Sequence, residues 1–173
     1  MKKPLDSRTA AKILLSAIII AAAISTSYPY RRTTKTVEIT GVMDGDTFKA
    51  TLDGKTPSIR LKHVDTPETS GYNTPREFKG LEQSDWRCLE DYGHRAKEFT
   101  GKMLGDRVSI TYREGLIVVE RGSYGRMLAQ VKLGNTTLGE KLVRKGLARS
   151  YTDRYTELES RARRHNRGLW SCS

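Results

Sequence analysis

From Val37 onward, apolar residues recur at every second position in five short runs, and this period of two constrains the fold more than anything else in the chain. The runs are Thr36–Val42 (with Val37 and Ile39), Phe48–Leu52, Ser58–Val64, Val108–Tyr112 and Met127–Leu133. Asp53-Gly54 and Gly134-Asn135 supply turn chemistry after the second and fifth. In Ser58–Val64 the alternation sets Ile59, Leu61 and His63 on one face and Arg60, Lys62 and Val64 on the other. Helical spacing appears over about 92–104 (Ala96, Phe99, Met103, then Gly105). It returns at 137–145 (Leu138, Leu142, then Gly146) and at 153–166 (Tyr155, Leu158, Ala162, before Gly168). Five strands with helices between and after them predict a small α+β domain on a closed barrel.

The first 30 residues have a different character. Lys2, Lys3, Arg8 and Lys12 precede the uncharged run Ile13 to Ile24, and Ala23, Ser25 and Ser27 are small. Twelve helical residues rise about 18 Å, short of the ~30 Å hydrocarbon core. That pattern fits an export signal cleaved near residues 25–27; an uncleaved signal-anchor is the alternative. Either device places the domain outside the cytoplasm, secreted in the first case and held at the membrane in the second. Residues 31–35 read as a linker, and the domain as 36–171.

The chain of 173 residues carries a formal charge of +11. Residues 1–35 hold seven Lys/Arg and one acid, which leaves a net of +5 for the rest. Nine Lys/Arg against three acids fall between Lys141 and Arg167. A polyanion is attracted to such a cluster, and a solvated helix face accounts for it equally well.

The acidic loops are more informative. "MDGDT" (43–47) joins the first two strands, with Gly45 read as letting the backbone bend. An EF-hand is excluded, because Phe48 and Lys49 stand where that loop needs an oxygen donor and a glycine. A second acidic loop, Asp65-Thr66-Pro67-Glu68-Thr69, closes the third strand, and Pro67 keeps Thr66 extended. Asp46 and Asp65, brought side by side, repel and call for a hard cation such as calcium or magnesium. Zinc is disfavoured, since His63, His94 and His165 are scattered without ligand spacing. Arg60 lies between the acidic loops, and Arg126 heads the last strand. Carboxylates that hold a cation, together with two arginines, suit phosphoryl chemistry, in which charge grows on phosphate oxygens.

"VMDGDTF", "IRLKHVDTPET", "YGHRAKEF", "SYGRMLAQV", "LVRKGLA" and "RRHNRGLW" follow one another in this order. In them, from about Thr36 to Trp170, the sequence resembles the staphylococcal-type nuclease (thermonuclease) family. The resemblance implies a five-stranded OB-type barrel with three helices. It also implies calcium-dependent hydrolysis of DNA and RNA to 3′-phosphate products, with single strands favoured and no protein partner. Carried over by position, Asp46, Asp65 and the Thr66 carbonyl are calcium ligands, and Asp44 supports them from behind. Glu68 is the general base, and Arg60 and Arg126 grip the phosphate. A non-catalytic OB module that binds nucleic acid or protein is the rival reading, because the fold alone serves both.

Tyr124 and Tyr151 are candidates for stacking on a base or sugar. Trp170 reads as a core plug, Met127 and Leu128 as barrel wall, and His63 as structural. The stretch 69–91 is longer than the family pattern and contains one of only two cysteines, Cys88; the other is Cys172. An even pair outside the cytoplasm favours a disulfide that pins this insert to the end of the last helix.

Overall fold

The computed structural model describes Leu15 and residues 30–71, 73–78, 80–81, 85–115, 119–122 and 124–172. Apart from Leu15 and Tyr30, the export signal or anchor expected at 1–30 lies outside the described residues. Among those described, no helix is long and apolar enough to cross a membrane.

Eight strands occur among the described residues: β1 (Arg31–Val42), β2 (Thr47–Thr51), β3 (Ser58–Leu61), β4 (Val64–Asp65), β5 (Arg107–Glu114), β6 (Met127–Leu133), β7 (Thr136–Thr137) and β8 (Arg149–Ser150). Three α-helices accompany them: α1 (Trp86–Leu104), α2 (Leu138–Arg144) and α3 (Thr156–Arg164). The main sheet runs β3-β2-β1-β5-β6-β7, and a parallel β3–β6 pairing closes the five long strands into a barrel. This is the expected OB-type α+β architecture. The inward positions of the alternating runs fill the barrel: Val37, Phe48, Ala50, Ile59, Leu61, Ile110, Met127, Ala129 and Val131 are all buried. Leu138, Leu142 and Val143 of α2 plug one end. That helix is capped at its N-terminus by Thr137, whose hydroxyl accepts from the Glu140 amide three residues on.

Three expectations are corrected. Residues 31–35 are not a linker; they pair residue by residue with Ile110–Glu114 of β5. Thr33, Thr34 and Thr36 are good strand formers, and the Thr34 hydroxyl meets that of Thr111 at 2.9 Å. The run Ser58–Val64 is broken after Leu61, where His63 takes a positive φ of 72°. The break exchanges the two faces. Val64 enters the core, and His63 turns outward, its Nδ1 within 3.0 Å of the Thr152 hydroxyl. The first helix begins at Trp86 rather than about 92.

The insert forms a second, smaller core. Phe78, Leu81 and Leu89 pack with Ala162, Leu169 and Trp170. A disulfide joins Cys88 in α1 to Cys172, with Cα atoms 5.8 Å apart.

Candidate active site

The loop 43–47 is held from three sides. The amide of Met43 donates to the carbonyl of Thr47, that of Leu61 to the carbonyl of Asp46, and the hydroxyl of Thr100 in α1 to the carbonyl of Gly45. Gly45 owes its place to space rather than to bending, since its φ is not in the left-handed region. A Cβ there would lie 2.6 Å from that of Ala96 and 2.8 Å from the Thr66 methyl. The glycine lets the first acidic loop press against both α1 and the second acidic loop.

That closeness brings Asp46 and Asp65 together. One guanidinium spans both, with Arg60 Nη1 2.6 Å from Asp46 Oδ1 and Nη2 bonded to Asp65 Oδ1. The other oxygen of Asp46 accepts the Thr66 amide at 3.1 Å, and its Oδ1 also accepts the Thr47 hydroxyl at 2.8 Å. Asp44 turns its carboxylate back onto its own loop, accepting the Asp46 amide at 3.0 Å. Arg126 donates to the Thr47 hydroxyl and stacks over Tyr124, 5.5 Å from ring centre. Glu68 opens into the same cavity, about 890 Å³ in volume, as Arg60, Asp65, Arg126, Tyr124 and Tyr151. Tyr124 and Tyr151 are 84% and 65% exposed, uncommon for residues that only pack.

Electrostatics sets the character of the site. Asp46 is 1% exposed, and burial pushes its carboxyl up to about 8, against the attraction of Arg60 and with the repulsion of Asp44 and Asp65. Burial also raises Glu68, helped by Asp44 and Asp65 and opposed by Arg60 and Arg126. Arg60 is held above its usual value: burial works against its charge, but Asp46 and Asp65 outweigh that. The Arg60 guanidinium thus faces both carboxylates, and Arg149 brings a second positive charge to Asp65.

The donors fit a hard divalent ion. They are oxygens only, both carboxylates bond the fork of one guanidinium, and burial disfavours the charge of Asp46. Among the described residues, no three His, Cys, Asp or Glu side chains converge.

Two residues of this region carry no signal in the sequence. Arg149 in β8 donates through Nε to Asp65 Oδ2 at 2.7 Å and through Nη1 to the Glu77 carbonyl at 2.6 Å. It also lies 5.4 Å from the ring of Phe78 and 5.7 Å from that of Tyr151. It ties the second acidic loop to the insert. Asn73 grips the backbone of Glu68 from both sides, accepting its amide at 2.8 Å and donating to its carbonyl at 3.0 Å. Gly93 of α1 passes so close that a Cβ would stand 2.3 Å from the Glu68 carbonyl oxygen.

A closed OB-type barrel with a paired-aspartate and arginine mouth defines the class. A family model described as staphylococcal nuclease homologue matches residues 58–172, and the chain belongs to that family. It is 33% identical over 146 residues to a thermonuclease of Staphylococcus hyicus, covering 79% of this chain and 76% of the relative. To a thermonuclease of Staphylococcus intermedius it is 34% identical over 140 residues, covering 77% and 73%. An SPbeta prophage-derived endonuclease, YokF, of Bacillus subtilis is 27% identical over 145 residues, which are 78% of this chain and 44% of that protein.

Proposed function

We propose that this protein is an exported, calcium-dependent nuclease that hydrolyses phosphodiester bonds of DNA and RNA and leaves 3′-phosphate ends. The observation that carries the reading is the Asp46–Arg60–Asp65 bridge, opening with Glu68 and Arg126 into one cavity. The names of the relatives, thermonuclease and endonuclease, support it. Export rests on the cations and the apolar run of residues 1–30, and N-terminal sequencing of the mature protein tests it.

Asp46 and Asp65, with the Thr66 carbonyl, would hold the ion. When bound, it supplies positive charge beside the phosphate oxygens. Freed from bridging two carboxylates, the Arg60 fork can donate to phosphate oxygens, a geometry that guanidinium matches well. Arg126 grips from the β6 side. Glu68 takes the proton from the attacking water, and its raised pKa brings it nearer to the working pH of a general base.

The test is digestion of single-stranded DNA with calcium and then with chelator, with end-group analysis of the products. Cleavage indifferent to chelator overturns the metal assignment. Arg60→Ala is expected to lower turnover by about 10³-fold or more, as for other arginines that stabilise phosphoryl transfer.

A further inference from the structure

The cavity does not end at the paired aspartates; it continues over the outer face of the barrel to the start of β1, where Arg32, Arg113, Leu128 and Gln130 line it. The register places this extension relative to the site. Arg60 pairs with Leu128 across β3 and β6, Tyr112 with Ala129 across β5 and β6, and Arg32 with Arg113 across β1 and β5. Their chain neighbours Ile59, Leu61, Met127, Ala129 and Tyr112 are buried, so Arg60, Leu128 and Arg113 face outward, and Arg32 with its cross-strand partner. Glu120 stands between Arg113 and Leu128, its amide donating to the Arg113 carbonyl and its carbonyl accepting from the Leu128 amide, so the row runs Arg60, Leu128, Glu120, Arg113, Arg32, with the Glu120 carboxylate neutralised by Lys62. At about 4.8 Å per strand, Arg113 lies about 14 Å and Arg32 about 19 Å from Arg60.

Two arginines directly opposite on a ladder repel each other. Among the described residues, neither Arg32 nor Arg113 has an ion-pair partner, whereas Arg60, Lys62 and Arg149 on the same cavity wall all do. An anion lying across both guanidinium groups relieves the repulsion. The anion that reaches this place from the paired aspartates is the backbone of a strand already bound there.

We infer that Arg32 and Arg113 form a distal phosphate subsite for a nucleic-acid strand. It holds a phosphate about four to six stacked steps of 3.4 Å from the bond at the aspartates. The inference rests on the nuclease reading for what is bound. It makes binding depend on strand length, and it makes oligonucleotides long enough to reach the row better ligands than short ones.

The experiment measures fluorescence anisotropy of labelled oligothymidylates of two, four, eight and twelve nucleotides. Full-length protein is used with chelator present, so that nothing is cut, over a range of salt. Wild type is expected to bind the octamer more tightly than the dimer. The R32A/R113A protein is expected to bind the octamer about tenfold more weakly, with a salt slope flattened by about 0.7, the value for one fewer neutralised phosphate on a single strand. R107A, which removes a cation at the other end of β5, is expected to bind like wild type. Removing a repelling pair leaves the melting temperature equal or higher, which separates loss of the subsite from loss of the fold. An unchanged octamer affinity and salt slope in R32A/R113A overturns the subsite, as does an equal loss on dimer and octamer. So does a loss confined to anionic lipid vesicles, which assigns the row to a membrane surface. If wild type cuts nothing with calcium while the length effect and its loss are seen, the subsite stands and the nuclease reading falls. If wild type cuts and the length effect is absent, the subsite alone falls.

Discussion

Replacing Asp46 by asparagine removes the one carboxylate of the site that is almost wholly buried, and without a divalent ion this is expected to stabilise the protein. Burial raises the Asp46 carboxyl from 3.8 to about 8. A carboxyl whose folded value lies above its unfolded value favours the folded state fully below pH 3.8. That advantage is lost as pH rises, until the folded group has also ionised near pH 8. The loss amounts to about 1.4 kcal/mol per pH unit, or on the order of 5 kcal/mol across the window. Asparagine has the same shape and keeps an oxygen for the Thr66 amide, but it turns an NH2 donor toward the Arg60 Nη1 donor, a mismatch that costs about 2–3 kcal/mol. The net gain at pH 8 is then about 2–3 kcal/mol, roughly 5–10 °C in melting temperature for a chain of this size. The assay is urea unfolding at pH 5, 6, 7 and 8 in chelator, repeated with calcium in excess. In chelator, Asp46→Asn should pull ahead of wild type as pH rises and level off above 8. With calcium the order should reverse, because only wild type gains the binding energy. A variant less stable than wild type at every pH in chelator, or a difference independent of pH, refutes the claim that burial dominates at Asp46.

Reducing the Cys88–Cys172 bridge opens a loop with a sequence separation of 84, which should cost about 4.5 kcal/mol and lower the melting temperature by roughly 10–18 °C in calorimetry; two thiols alkylated without reductant would show that no bridge exists. Gly93→Ala should push the Glu68 backbone aside and lower kcat by about 10²-fold while circular dichroism stays unchanged, and an unaltered kcat would break the proposed link between α1 and the base. Arg149→Ala should free the Glu77 carbonyl and speed amide exchange over residues 73–78 while barrel amides keep their rates; equal acceleration in both regions would point to general destabilisation instead.

How far the sequence discloses all this depends on whether the deciding force is local. The barrel strands are legible because Phe48, Ala50, Ile59, Leu61, Ile110, Met127, Ala129 and Val131 must alternate to fill it. Residues 31–35 escape notice because this stretch of β1 contains no apolar residue and is held by its partner β5. The start of α1 does carry a sequence signal, since Asp85 is a residue type that favours the N-cap, although it makes no side-chain cap bond there. At His63 the letters continue the alternation while the backbone turns, and no glycine announces it. In the site, Asp46, Arg60 and Asp65 come from short contiguous motifs and are bridged as close neighbours. Arg149 and Asn73 belong to a two-residue strand and an irregular segment, and only tertiary packing gives them their contacts.

The order in which the barrel closes also sets when the mouth can exist. β1 finds its partner β5 about 80 residues later, β3 pairs with β6 nearly 70 residues away, and β4 waits for β8 at Arg149 and Ser150. Such distant pairings make folding a slow, global event rather than a progressive one. A chain growing from its N-terminus presents Asp46, Arg60 and Asp65 early, on a β1–β2–β3 meander with no closed barrel behind it. It acquires Arg126, then Arg149 and Tyr151, and only with Cys172 the bridge to α1. An N-terminal fragment that stops before β8 lacks Arg149 and Tyr151 of the mouth, so whatever this chain does to its substrate waits at least until β8 has been made.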